Sequence, residues 1–175
     1  MKINWLNLTQ AKALLTANHF TDLSDNGSLT ARIRNACESN FQVQLIEHKI
    51  LSPQTQERQL LNLSKADKTI SRQVFLNCNG QAKIYAQTLI GLTPANKQLT
   101  DKITQLGAQS LGSLLFRDPL ATRVKMHLAS VDADHAFFSN VSLPEQCKHN
   151  AIWVRRSLYH YEGCELIVYE AFLYL

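Results

Sequence analysis

No stretch of this chain approaches the ~20 consecutive apolar residues that cross a bilayer, and the N-terminal "MKINWLNLTQ" lacks the apolar core of a secretory signal. The expectation is a cytoplasmic protein with no membrane insertion. Runs of like charge are also missing. Eighteen Lys and Arg against fourteen Asp and Glu give a formal net charge of +4, scattered along the sequence. Nothing in that distribution points to nucleic acid, whereas an anionic small ligand suits it. Cys37, Cys78, Cys147 and Cys164 are far apart and form no C-x-x-C, which argues against a zinc site or a thioredoxin-like motif. Buried reduced thiols are the expectation for all four. A Walker loop, G-x-G-x-x-G, H-E-x-x-H and G-x-S-x-G are likewise absent. Most nucleotide-binding, zinc-protease and serine-hydrolase chemistries go with them. The six histidines show no ligand spacing, and "DADH" from Asp132 to His135 is the nearest approach to a metal clamp.

What is present is a chain of ordinary globular composition, 45% hydrophobic and 18% charged, long enough for one domain with a sizeable core. No linker or repeat divides it, so residues 1–175 are read as a single domain. The first third is helical in character: "TQAKALLTAN" and "SLTARIRNACESN" carry helix formers, with Ser28 placed to cap the second. "FQVQLIEHKIL" starts with strand alternation. "RQVFLNCNGQAKIYAQTLIG" holds two strand-like runs around Asn79-Gly80, a strong hairpin signal. Leu99, Ile103 and Leu106 have helix spacing, "ATRVKMHLASVD" reads as a strand, and "IWVRRSLYHYEGCELIVYEAFLYL" forms a second hairpin turning at Glu162-Gly163. Helices and hairpins in this arrangement predict an α+β fold with a mostly antiparallel sheet.

Glu170 is the anomaly of the last strand. It shares a face with the apolar Leu166, Val168 and Phe172. A two-residue turn at Glu162-Gly163 makes facing numbers sum to 325, which sets Arg155 opposite Glu170. That leaves two readings open, a structural ion pair or a ligand contact. The same construction at Asn79-Gly80 sets Arg72 opposite Gln87 and Val74 opposite Tyr85.

Four segments, in order, resemble the chorismate pyruvate-lyase family. "GSLTARIRNA" is similar to its S-[ML]-T-x-R segment, and "SRQVFLNCNGQAKIYAQTLIG" to its strand, Asp/Asn-Gly turn and return strand. "LGAQSLGSLLF" resembles L-G-x-x-P-L-G-x-x-L-F, with Ser110 where proline is usual. "WVRRSLYHYEGCELIVYEAFL" is similar to W-x-R-R-S, a turn and a strand ending E-x-F-L. The resemblance implies a single α+β domain whose helices close over an internal ligand cavity. It also implies elimination of pyruvate from chorismate to give 4-hydroxybenzoate for ubiquinone synthesis, without a cofactor or metal. Leu29 and Leu111 would offer backbone groups to the ligand, and Glu170 would act as catalytic and binding carboxylate. The family's carboxylate-binding arginine would correspond to Gln87, a departure that Arg72 or Arg155 would have to compensate. Partners would be the small-molecule substrate and its aromatic product, with the chain a monomer. The alternative is a non-catalytic, sensor-type binding domain on the same fold.

Overall fold

The structure is a computed structural model that describes residues 2–37, 39–115 and 121–175, without the side chain of Ser113. Three short helices come first: α1 (Leu8–Lys12), α2 (Ala17–Ser24) and α3 (Leu29–Ala36). Ser28 caps α3 as its spacing predicts, its Oγ accepting from the Ala31 N–H at 3.2 Å. Strand β1 (Phe41–Leu51), helix α4 (Thr55–Leu60) and the hairpin β2 (Lys68–Cys78)–β3 (Gln81–Leu92) follow. After α5 (Lys97–Gln105) and α6 (Gly112–Leu115) come β4 (Ala121–Asp132), β5 (Ala151–Tyr161) and β6 (Cys164–Phe172). Among the described residues no helix is long and apolar enough to cross a membrane.

All six strands join one antiparallel sheet in the order β1-β2-β3-β6-β5-β4. The α+β expectation holds, and the reason is local. Both hairpins turn on a pair of left-handed residues, Asn79 (φ 50°) with Gly80 (φ 77°) and Glu162 (φ 48°) with Gly163 (φ 82°). Two successive positive φ values match the twist of the flanking strands.

Side-chain alternation then divides the core. One face carries Ile70, Val74, Ile84, Ile90, Leu166, Val168 and Phe172 against α1, α2, α3, α5 and α6. The other carries Phe75, Tyr85, Leu89, Ile167 and Tyr169 against the segment around α4 and the 3-10 turns at Ala136–Phe138 and Glu145–Cys147. The helical face is called proximal below, the other distal.

Two expectations are corrected here. The β5–β6 register is as predicted, with Arg155 opposite Glu170. In β2–β3, however, an irregularity falls between Leu76 and Asn77: Asn77 pairs with Ala82 but Leu76 with Ile84, leaving Lys83 as the extra residue. Arg72 therefore faces Thr88 and Val74 faces Ala86, while Gln87 faces Gln73. The second correction concerns sulfur. Cys37 and Cys78 form a disulfide with Cα atoms 5.6 Å apart, an ordinary spacing for such a bond. The chain leaves α3 at Cys37 and enters β1 at Phe41, and Phe41 lies directly opposite Cys78. Cys147 and Cys164 are buried free thiols, as expected.

Candidate active site

A small enclosed cavity lies between the proximal face and the helices. Arg72, Thr88, Val168 and Glu170 belong to its floor, and Leu29, Thr30, Leu111 and Gly112 to its roof. Its volume, about 40 Å³, is enough for only a few water molecules. Three of the four residues expected at the ligand, Leu29, Leu111 and Glu170, meet here. Gln87 does not. The bulge at Lys83 turns it to the distal face, where its Nε2 donates to Ser71 Oγ at 2.9 Å.

The roof is made of two helix starts. Leu29 is the first residue of α3, and Leu111 precedes α6, its carbonyl accepting from the Leu114 and Leu115 N–H groups. First-turn N–H groups lack intrahelical acceptors, so this roof presents backbone donors and a partial positive charge. Gly112 lets the two helices meet. A Cβ there would lie 3.0 Å from Ser28 Oγ and 3.4 Å from Thr30 Oγ1.

Of the three buried arginines, the two on the proximal face, Arg155 and Arg72, differ in kind. Arg155, 1% exposed, donates from Nε to Glu170 Oε2 at 2.7 Å. Its Nη1 donates to the carbonyls of Asp25 (2.9 Å) and Leu23 (3.3 Å), which fixes the chain between α2 and α3. Burial pushes the Arg155 pKa down, but Glu170, with Tyr159 and Asp25, more than offsets this, and the guanidinium ends above its ordinary value. Glu170 keeps its outer side towards the cavity, with its side chain 13% exposed. Arg72, 2% exposed, has no carboxylate partner among the described residues. Its Nη2 donates to the carbonyls of Gln109 (2.6 Å) and Gly107 (2.8 Å), tying down the segment before α6, and its Nε is buried without a partner. Burial lowers its pKa from the usual arginine value, far too little to discharge it at neutral pH. Tyr159 also lines the cavity; burial and the charge of Glu170 raise its pKa. Its hydroxyl accepts from Arg123, which reaches over to the Asp25 carbonyl and Asn26 Oδ1 at 3.3 Å each.

The electrostatic sum is direct. Arg155 and Glu170 neutralise each other, and Arg72 and two helix N-termini remain, so the cavity is poised for an anion. Arg72 lies two strands and two residues away from Glu170, roughly 12 Å between Cα atoms at standard sheet spacings. A ligand between them would carry an acidic group at one end and a hydrogen-bond donor at the other. The Asp132–His135 clamp does not form: no group of three His, Cys, Asp or Glu side chains able to hold a metal occurs among the described residues.

The family model for chorismate lyase matches residues 1–175. This chain belongs to the chorismate lyase family. Among curated members, a protein named "Probable chorismate pyruvate-lyase" from Thiobacillus denitrificans is 32% identical over 151 residues, covering 86% of this chain and 80% of that one. One of the same name from Methylobacillus flagellatus is 29% identical over 174 residues, with 99% and 94% covered. By structure, the chain is similar to the PhnF C-terminal domain, with TM-score 0.60 at 13% identity, covering 78% of this chain and 84% of that one. The effector domain of PhnF from Mycobacterium smegmatis gives TM-score 0.55 at 12% identity, with 83% and 88% covered. The chorismate lyase fold is thus shared with effector domains.

Of the family-like motifs, Phe116 in "LGSLLF" lies outside the described residues. The main residue misplaced by sequence reasoning is Arg72, considered only as a substitute for Gln87. The signal that finds it is alternation. Arg72 sits two residues before Val74 and four before Leu76, on the face that packs the helices.

Proposed function

We propose that this chain is a cofactor-independent lyase that removes the enolpyruvyl group of chorismate as pyruvate and leaves 4-hydroxybenzoate, a ring precursor for ubiquinone. The observation that carries the reading is the pairing of an arginine lacking a counter-ion, Arg72, with a carboxylate held by Arg155, Glu170, in one enclosed cavity. Chorismate has a ring carboxylate and, across the ring, a C4 hydroxyl. Arg72 would receive the ring carboxylate and Glu170 would accept a hydrogen bond from the hydroxyl. The N–H groups at Leu29 and Leu111 would hold the enolpyruvyl carboxylate.

In the reaction the C3–O ether bond breaks, the C4 proton is lost, and the enolpyruvyl methylene gains a proton to become pyruvate. The ring becomes aromatic, so the step is strongly downhill. The protein's part is orientation and charge complementarity in a water-excluding site. Glu170 orients the C4 hydroxyl, and the Arg155 Nε–H holds Glu170 in place. Ligand entry requires the α3 and α6 ends to part, because the closed cavity is too small for the substrate.

The test is incubation of the purified protein with chorismate, following 4-hydroxybenzoate by absorbance and pyruvate by a coupled assay. Formation of both in equal amounts is expected. Nothing above the spontaneous rate at high protein concentration would leave the second reading, a ligand-binding module, which the likeness to effector domains favours. The reading includes a cytoplasmic monomer.

A further inference from the structure

The distal face has an arrangement that the lyase chemistry does not use. Glu47, Gln73, Gln87, Tyr169, Arg156 and His127 lie directly opposite one another in succession, a polar row across all six strands. It crosses a face otherwise occupied by Phe75, Tyr85, Leu89, Val154 and Ile167. Part of it is satisfied internally. Tyr169 OH donates to Glu57 Oε1 of α4 at 3.1 Å, the Arg156 guanidinium lies 4.3 Å from the Trp5 ring, and Gln87 is bonded to Ser71. Gln73 is not: only 5% of it is exposed, and its amide oxygen is buried with no partner.

Two clefts open above this row, of about 640 Å³ and 320 Å³. They adjoin, since Gln54, Glu57, Ala136 and Phe137 line both. Trp5, Phe137 and Tyr169 wall the larger, with ring centroids 5.7 Å (Trp5–Tyr169) and 5.5 Å (Phe137–Tyr169) apart. Gln73, Gln87 and Tyr85 line the smaller. Volumes in this range, aromatic walls and a few polar groups are the features of small-molecule sites.

We propose that the distal clefts form a second ligand site, for a small aromatic molecule carrying hydroxyl or ammonium donors. The class follows from the lining. Of the lysines along the clefts, Lys49 is paired with Glu47 at 2.7 Å and Lys2 is exposed, so Glu57 and the Gln73 and Gln87 amide oxygens supply the acceptors, and the aromatic rings take a flat or cationic body. The proximal cavity, with Arg72 lacking a counter-ion, selects the opposite charge. The inference does not depend on the lyase reading.

Tyramine, which has a ring, a phenol and an ammonium group, is the probe, with benzoate as the donor-free anionic comparison. Titration of ¹⁵N-labelled protein with millimolar tyramine should move the amide signals of Glu57, Gln73, Gln87 and Phe137, leave Leu29 and Leu111 in place, and quench Trp5 fluorescence. Gln73→Met and Glu57→Gln should each weaken binding by about tenfold or more, in variants whose amide spectrum is that of the folded protein. If Gln73→Met does not fold, Glu57→Gln on exposed α4 decides alone. Three results would overturn the proposal: no movement with tyramine, movement confined to Leu29 and Leu111, or equal response to benzoate. Affinity unaltered in the folded variants would do the same.

Discussion

Arg155 and Glu170 differ in exposure, 1% against 13%, and their contributions should separate accordingly. Glu170→Gln leaves the Arg155 charge buried with neutral acceptors only, a loss of about 3 kcal/mol. Adding Arg155→Met should recover part of that loss, so a double-mutant cycle by chemical denaturation will show coupling rather than additivity. On activity the same Glu170→Gln should lower kcat/KM for chorismate; unchanged turnover would confine Glu170 to a structural role. Arg72 should behave differently. Arg72→Met removes the charge-assisted contact proposed for the ring carboxylate, worth about 2 kcal/mol, and should reduce kcat/KM by roughly thirtyfold. Gln87→Arg should not raise kcat/KM, because position 87 lies across the sheet from the cavity lined by Arg72 and Glu170. A large gain would mean that the ligand sits elsewhere.

At the level of elements, what could be read from the sequence depended on whether local rules stayed local. The β5–β6 register follows from one turn, Glu162-Gly163, and no irregularity intervenes before Arg155 and Glu170. The same counting fails in β2–β3 because a bulge answers to packing and to the neighbouring strand: the Leu173 N–H donates to the Lys83 carbonyl at 2.9 Å. Helix α3 and its Ser28 cap were legible, since the signal lies within a few residues. The Cys37–Cys78 bond was not, because its ends are 41 residues apart and only the β1–β2 pairing brings them together. Closing a loop of that size stabilises by up to about 4 kcal/mol in the chain-entropy account. Replacing both cysteines with serine should lower the unfolding free energy by up to this amount, read from the denaturant midpoint.

For the molecule as a whole, the sheet acts as a partition, with an anion-seeking cavity on one side and an acceptor-lined cleft on the other. The fold class was legible from hairpins and helices, and the enclosed cavity from the resemblance. The distal polar row was not, because it exists only once six registers are fixed together. That row should also make stability depend on pH. Burial, then the charges of Arg156 and Lys125, lower the His127 pKa from 6.5. The unfolded chain therefore takes up this proton first. The contribution is fully present above about pH 6.5 and is lost as pH falls through the lower folded value. Thermal unfolding midpoints should decline over that interval, and His127→Gln should flatten the decline.

Lys83 has a consequence for descent among related chains. Because Asn77 pairs with Ala82 and Leu76 with Ile84, deleting Lys83 would leave every pair from Ile84 onward in place. This is where a relative one residue shorter could differ and still direct Arg72, Thr88 and Glu170 into the same space. A gap set elsewhere between Arg72 and Gln87 in a sequence alignment would exchange the faces. Residues of the distal face would then be compared with residues that line the proximal cavity.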